Sequence, residues 1–147
     1  MESILDDRVD EVLIDKLELD YKNEIQKNGL ASEDITFSFA HMLIGSTKKA
    51  KINRGVELLK QLIRSDKCER EYVYYLAIAY ARLKKYDMSL DYINALLESE
   101  EDNYQIRALR DVVEARMQKD GIIGVAIAGG AAVAVGVAVT ALLALKK

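Results

Sequence analysis

The segment that most limits the fold is KDGIIGVAIAGGAAVAVGVAVTALLALKK, which has no charged side chain between Asp120 and Lys146. As a helix, residues 121–145 would rise about 37 Å, compared with a bilayer hydrocarbon core of about 30 Å. Every face of this helix would be apolar, whereas a core helix of a soluble domain normally keeps a polar stripe. The sequence therefore predicts one membrane-spanning helix over residues 121–145, followed by a basic tail at residues 146–147.

The position of this span predicts how it is inserted. Only Lys146 and Lys147 follow it, so we expect a tail anchor that inserts after translation and leaves the preceding chain in the cytosol. A secretory signal would lie at the other end of the chain, and a lipid-anchor signal would need a polar spacer. Small residues recur every four positions in the span; either they let two spans pack closely in lipid or they only lower its hydrophobicity, and both interpretations stay open.

The part of the chain before the span is long enough for one domain with its own core. It contains all 24 acidic residues and 19 of the 21 basic residues, a formal charge of −5, which argues against both nucleic acid and anionic lipid surfaces as ligands. Cys68 is the only cysteine, so no internal disulfide can form, in agreement with a reducing compartment. We predict no metal site and no cofactor, because the chain has too few His and Cys residues and no phosphate-binding or dinucleotide motif.

Helical periodicity covers this domain. Proline is absent, and apolar residues recur at spacings of three and four in six consecutive segments. Gly29 and Gly45 are predicted helix ends, and Ser32 is a predicted N-cap. We therefore expect an all-α, six-helix bundle over residues 14–119, preceded by an arm or short helix at residues 1–13.

The helices form two similar pairs. Placing FAHML on LAIAY sets Ala40 on Ala77, and in the second helix of each pair Gly55 then falls on Ser89. Small and large residues at these positions are typical of the interlocked antiparallel helices of a tetratricopeptide unit. Because such units normally stack in groups of three or more, we expect the flanking helices to cap the pair. The two predicted tetratricopeptide-like repeats are about residues 33–66 and 70–103.

The order of these motifs points to a family. INRGVELLKQLI, then YVYYLAIAYARLKKYDMSLDYINALL, then KDGIIGVAIAGG and a lysine-ended tail resemble the mitochondrial fission 1 protein family over nearly the whole chain. The resemblance implies a six-helix cytosolic domain anchored in the mitochondrial outer membrane, and often also in peroxisomes. It further implies an adaptor that recruits a dynamin-related GTPase or other fission proteins. The sequence departs from the family pattern at Phe39, His41, Gly45 and Ala81, and these departures bear on the partner more than on the fold.

A partner-binding surface is predicted on the concave face, which the first helix of each tetratricopeptide unit lines. This stripe is apolar and aromatic, suited to an amphipathic helix or an extended segment, with one charge-assisted contact from Arg82. The alternative is that its tyrosines only fill the interhelical core. The predicted groove residues are Phe37, His41, Ile44 and Gly45 in the first unit, and Tyr74, Tyr75, Ile78, Ala81 and Arg82 in the second.

The N-terminal arm is a candidate occupant of this groove. We hypothesise that its apolar residues form an autoinhibitory lid over the stripe; these residues are Ile4, Leu5, Val9 and Leu13. Deleting the arm should then increase partner binding.

Other functions compete with the adaptor. His41, the only histidine, has no serine or cysteine nucleophile near it in sequence, so we do not expect an enzyme. A tail-anchored tetratricopeptide receptor or tether for another cytosolic partner, without a direct role in fission, stays open. So does a protein that remodels the membrane through its own span, and so does self-association.

Overall fold

The computed structural model of the chain describes residues 2–65 and 69–121. Within these ranges the chain is all-α with six helices, which confirms the predicted six-helix bundle. Their bounds are α1 Glu11–Asn28, α2 Glu33–Ile44, α3 Lys49–Arg64, α4 Arg70–Arg82, α5 Tyr86–Ser99 and α6 Tyr104–Lys119. A short 3-10 turn at Glu2–Leu5 precedes them.

The predicted membrane span lies outside the described residues, apart from Gly121. Over residues 2–65 and 69–121, no helix combines the length and the apolar character needed to cross a bilayer.

Local chemistry fixes the helix ends. Gly29 ends α1 in the left-handed region, with φ of 84°, and Ser32 caps α2 by accepting a hydrogen bond from the Ile35 amide, both as predicted. The start of α1 differs from the prediction. The Asp10 carboxylate accepts from the Val12 amide at 3.0 Å and starts the helix at Glu11, so the arm is shorter than residues 1–13. An acidic N-cap inside an acid-rich stretch gave no separate sequence signal.

Consecutive helices pack against one another, from α1 on α2 through to α5 on α6. The pattern places α2 and α4 as the first helices of two pairs, with α3 and α5 as their partners. One apolar core runs through the bundle, and its largest fully buried side chains include Phe39, Leu43, Leu59, Leu76, Ile93, Leu96, Ile106 and Leu109.

The two pairs share a close helix crossing at the positions that the sequence aligned. In the first pair, a Cβ placed on Gly55 would lie 2.7 Å from Ile44 Cγ2 and 3.1 Å from the Ala40 carbonyl oxygen. In the second pair, Ser89 is fully buried and its hydroxyl donates to the Ala77 carbonyl at 2.7 Å. The second helix of each pair therefore meets the same main-chain carbonyl of the first helix.

Candidate partner-binding groove

The faces of α2 and α4 meet the N-terminal arm, residues 2–9, around a small cavity of about 100 Å³. This volume suits a side chain of a protein partner more than a cofactor, whose pockets are typically several hundred Å³. The helices contribute His41, Ile44, Gly45, Tyr75, Ile78 and Arg82, and the arm contributes Ile4, Asp7 and Val9.

Six of the nine predicted groove residues therefore come together around this cavity. Phe37 is half-buried beside it, with its ring centroid 5.7 Å from that of Tyr75. Tyr74 and Ala81 are each only 4% exposed; Tyr74 packs edge-on against Tyr75, and Ala81 lines a neighbouring cavity. That any of the nine residues contacts a partner stays a prediction.

The arm packs directly against Gly45, which we call the seat of the arm. The Val9 amide donates to the Gly45 carbonyl at 3.0 Å, and a Cβ on residue 45 would lie 2.3 Å from Val9 Cγ2. The φ of Gly45 is −84°, which any residue adopts, so glycine is needed here for space and not for conformation. The missing side chain at residue 45 is what lets Val9 lie against the end of α2.

Arg82 holds the arm from the other side of the cavity. Its guanidinium donates to the Asp7 carbonyl at 2.7 Å and to the Ser46 carbonyl at 3.0 Å. Burial lowers the pKa of Arg82, and the nearby positive charge of Arg8 lowers it further. Since an arginine remains protonated at neutral pH, the group is a cation bound to neutral acceptors.

An aromatic cluster borders the cavity at its α2 side. The His41 ring lies 4.5 Å from the Tyr75 ring and stacks on Phe37 at 6.0 Å between centroids, while Phe37 also contacts Tyr72 at 5.2 Å. His41 has a solvent-exposed edge, yet desolvation by these rings lowers its pKa. A largely neutral imidazole therefore contributes an apolar face with one polar edge to the groove.

The arm residues do not all take the predicted position. Leu5 is 4% exposed and Ile4 and Val9 are half-buried, so these three lie on the bundle. Leu13 does not join them, because it belongs to α1 and is 49% exposed. The sequence predicts an arm through residue 13. In the structure α1 begins at Glu11, which turns the Leu13 side chain away from the groove.

A polar network fixes the root of the arm. The buried Ser46 hydroxyl donates to Glu11 Oε1 at 2.7 Å, and Lys51 Nζ donates to Glu11 Oε2 at 2.7 Å. The Lys51 hydrogen bond, followed by that of Ser46, lowers the pKa of Glu11 to about 2. The network joins the start of α1 to the loop between α2 and α3, next to Gly45.

Sequence reasoning missed three contacts that hold the arm. Two of them use main-chain carbonyls, since Asp7 accepts from Arg82 and Gly45 accepts from the Val9 amide, and no side-chain pattern reveals them. Arg116 of α6 donates to the Asp6 carboxylate at 2.5 Å, a pair separated by 110 positions in the chain. Within residues 2–65 and 69–121, no group of three or more His, Cys, Asp or Glu side chains could hold a metal ion.

Comparison with known proteins gives a family for this fold. Residues 70–122 match the family model described as the Fis1 C-terminal tetratricopeptide repeat. The chain is 40% identical to FIS1-related protein fis-2 of Caenorhabditis elegans over 135 residues, covering 90% of this chain and 89% of that protein. It is 36% identical to the mouse (Mus musculus) mitochondrial fission 1 protein over 137 residues, covering 92% of this chain and 90% of the mouse protein.

Solved structures agree with the sequence relatives. Yeast Fis1, crystallised in complex with an Mdv1 fragment that contains the N-terminal extension and coiled coil domains, superposes with a TM-score of 0.68 at 28% identity and covers 78% of this chain and 90% of the yeast chain. The solution structure of yeast Fis1 gives a TM-score of 0.69 at 29% identity, covering 88% of this chain and 89% of the yeast chain. Relatives that match nine-tenths of both lengths, together with a shared helical fold, show that the chain belongs to the mitochondrial fission 1 protein family.

Proposed function

We propose that this protein is an outer-membrane adaptor that recruits fission machinery to mitochondria, and also to peroxisomes, through the groove between α2 and α4. Family membership supports a role as a mitochondrial fission adaptor. In this proposal, the helical domain of residues 14–119 lies in the cytosol, and residues 121–145 anchor it in the outer membrane. The recruited partner is a dynamin-related GTPase or an adaptor that binds one.

The observation that carries this proposal is the occupied groove. A surface lined by Ile44, Tyr75 and Ile78 with one polar contact from Arg82 is covered by a segment of the same chain. The arm reaches it after a short 3-10 turn and bonds through main-chain groups at Val9 and Asp7. A partner segment of similar chemistry, extended or helical and with an aliphatic side chain every few residues, would fit the same surface.

The arm then acts as an autoinhibitory lid in this proposal. Its contacts are a few apolar side chains, one hydrogen bond from Arg82 to the Asp7 carbonyl, one from the Val9 amide to the Gly45 carbonyl, and one exposed ion pair. This is the kind of local structure that opens without unfolding the domain. Partner binding has to displace the arm, so the measured affinity is reduced by the fraction of molecules in which the groove is open.

One deletion and one double substitution test both parts of the proposal. The first variant removes residues 2–9 and keeps the Asp10 cap of α1; the second replaces Tyr75 and Ile78 by alanine. The full chain, in vesicles, is titrated with a dynamin-related GTPase and with a fragment of its adaptor. We expect the deletion to increase affinity and Y75A/I78A to lower it at least tenfold, with or without the arm.

Asn94→Ala is the matched control, because Asn94 is exposed on α5, the outer helix of the second pair. The same variants are expressed in cells that lack their own fission 1 protein, and mitochondrial length is measured. Elongated mitochondria with Y75A/I78A and normal ones with N94A support the proposal. Wild-type affinity and wild-type mitochondria with a folded Y75A/I78A variant would contradict the groove assignment and favour a tether without a role in fission.

A further inference from the structure

A second cavity, of about 430 Å³, lies on the other side of the arm and carries an unusual concentration of positive charge. The loops that follow α2 and α4, the start of α5 and the last turns of α6 surround it. Five basic side chains line it and no acidic side chain does; the five are Arg8, Lys49, Arg82, Lys84 and Arg116.

Most of this charge is not neutralised by direct ion pairs. Arg8 donates to the Leu5 and Asp7 carbonyls at 3.2 Å, and Arg82 also donates only to carbonyls. Over the part of the chain that the structure describes, Lys49 and Lys84 form no ion pair, whereas Arg116 pairs with Asp6. Burial and then the positive charge of Arg8 lower the pKa of Arg82, while the carboxylates of Asp6 and Asp7 oppose this shift.

Lys84 adds a second observation. It has φ of 61°, a left-handed conformation in which glycine is normally less strained. The turn itself is satisfied by main-chain bonds, from the Lys84 amide to the Ala81 carbonyl and from the Lys85 amide to the Tyr80 carbonyl. The turn alone would therefore favour glycine at this position, and a lysine there places an ammonium group at the cavity.

The cavity also lies where the chain continues toward the predicted span. Arg116 is in the last turn of α6 and Tyr86 donates a hydrogen bond to the Asp120 carboxylate. Gly121, where the uncharged segment begins, follows one residue later, and α6 ends two residues before it at Lys119. Arg116 is therefore only five residues from the segment that we expect in the bilayer.

We propose that the cavity lined by Arg8, Lys49, Lys84 and Arg116 binds the phosphate of anionic lipid headgroups and so holds the domain upright on the membrane, with the groove at a fixed height. This inference rests on the proposed anchoring of the chain by residues 121–145. Tyr86, whose pKa burial and Asp120 raise to about 12, stays a neutral phenol at the rim. Arg8 belongs to the arm, so headgroup binding also stabilises the closed arm, and release of the arm weakens lipid contact by the same factor.

The test uses the full chain in vesicles of phosphatidylcholine, with and without phosphatidic acid. Hydrogen exchange is followed in the two loops at the cavity, residues 46–48 and 83–85. We expect exchange to slow about tenfold on the anionic vesicles, as expected for several basic groups near an anionic surface, and the difference to shrink at high salt. The variant K49E/K84E should show no difference between the two vesicles, and R8Q a smaller one than the wild type.

The charge-matched control is K16E/K27E, since both lysines are exposed on α1, away from the cavity. Wild-type behaviour of the control supports the site. Equal exchange of the wild type on both vesicles would overturn it, and so would a response of K49E/K84E equal to that of the wild type. Slower exchange with inorganic phosphate on neutral vesicles would overturn the commitment to lipid and identify a free-phosphate site.

Flotation with pure phosphatidylcholine vesicles separates this inference from the anchor. A chain that fails to float contradicts the anchoring proposed above. The cavity is then judged by whether the unanchored chain binds the anionic vesicles through Lys49 and Lys84.

Discussion

The two helix pairs make the same two contacts, one with the arm and one where their own helices cross, by opposite means. Gly45 in the first pair and Arg82 in the second occupy equivalent positions when Ala40 is placed on Ala77, and both contact the arm. One does so by lacking a side chain, which lets Val9 approach, and the other by extending a long cation to the Asp7 carbonyl. The same contrast recurs at the helix crossings, where the first pair has Gly55 and the second has Ser89.

The difference shows how a repeat pair becomes specialised without a change of backbone. The first pair is adapted to close approach, so it is sensitive to any added atom. The second pair relies on polar side chains, so it is sensitive to their removal. The arm needs both, because the first pair provides the space for it and the second provides the polar contact that holds it there.

Adding one methyl group at the seat of the arm should have the largest effect. Gly45→Ala places a Cβ 2.3 Å from Val9 Cγ2, and overpacking of this kind costs about 1–3 kcal/mol. Since the arm can leave while the core cannot, we expect the open population to rise about 5- to 150-fold. Limited proteolysis within residues 2–9 measures this, with Ser38→Ala on the same helix as the control. Unchanged cleavage would mean that Val9 adapts and that Gly45 is not the seat.

The helix crossings should respond unequally. Gly55→Ala brings a Cβ to 2.7 Å from the branched Ile44 side chain and 3.1 Å from a carbonyl. Alanine favours a helix more than glycine does, which offsets part of the cost of this overpacking. The free energy of unfolding should therefore fall by about 1–2 kcal/mol. Ser89→Ala loses one buried hydrogen bond, but the Ala77 carbonyl that accepted it keeps its helical partner. The substitution should therefore cost only about 0.5–1 kcal/mol. Urea unfolding measures both, and a more stable Gly55→Ala variant would refute close packing at the first crossing.

Removing the hydrogen bonds of Arg82 should open the arm less than adding a side chain at Gly45. Arg82→Met keeps the apolar stem and loses the two hydrogen bonds to carbonyls, worth about 1 kcal/mol for partly exposed groups. We expect roughly a fivefold faster cleavage of the arm, and a variant that combines G45A with R82M should show less than the product of the two effects. Arg110→Met, on α6, serves as the control. Full additivity would indicate that the two residues hold different parts of the arm independently.

As the pH falls, the loop between α2 and α3 should lose protection from hydrogen exchange before the loop between α4 and α5 does. The pKa of Glu11 is lowered from 4.5 to about 2 by Lys51 and Ser46, so the folded state keeps the ionised form that the unfolded chain loses. The stability from this network is present above about pH 4.5 and is lost as the pH falls toward 2. The loop of residues 83–85 depends on main-chain bonds and should not follow this titration. Hydrogen exchange against pH checks this, and Glu11→Gln should abolish the difference between the loops.

Much of this structure could be predicted from the sequence because periodicity and repetition encode it. The six helices, the Gly29 and Ser32 ends and the aligned crossing at Gly55 and Ser89 all follow from local patterns. The stripe on the concave face followed from the repeat, which brought His41 and Ile78 to one cavity.

The arm and the basic cavity could not be predicted in the same way. The hydrogen bonds of the arm use the main-chain carbonyls of Asp7 and Gly45, and every residue type has such a carbonyl. The cations of the second cavity come from the arm, the start of α3, the end of α4 and the loop after it, and α6, so only the fold brings them together. Leu13 was misplaced because an apolar residue among acids fits both an arm and the first turn of a helix.

The most direct test of this account is the exchange rate of the Val9 amide, which donates to the Gly45 carbonyl at 3.0 Å. In the free full-length protein the amide should be protected, and addition of the fission partner should release it as the partner takes the groove. Protection should also be lost in Gly45→Ala without partner. A Val9 amide that exchanges freely in the unbound protein, or that stays protected in the complex, would contradict an arm that closes the groove.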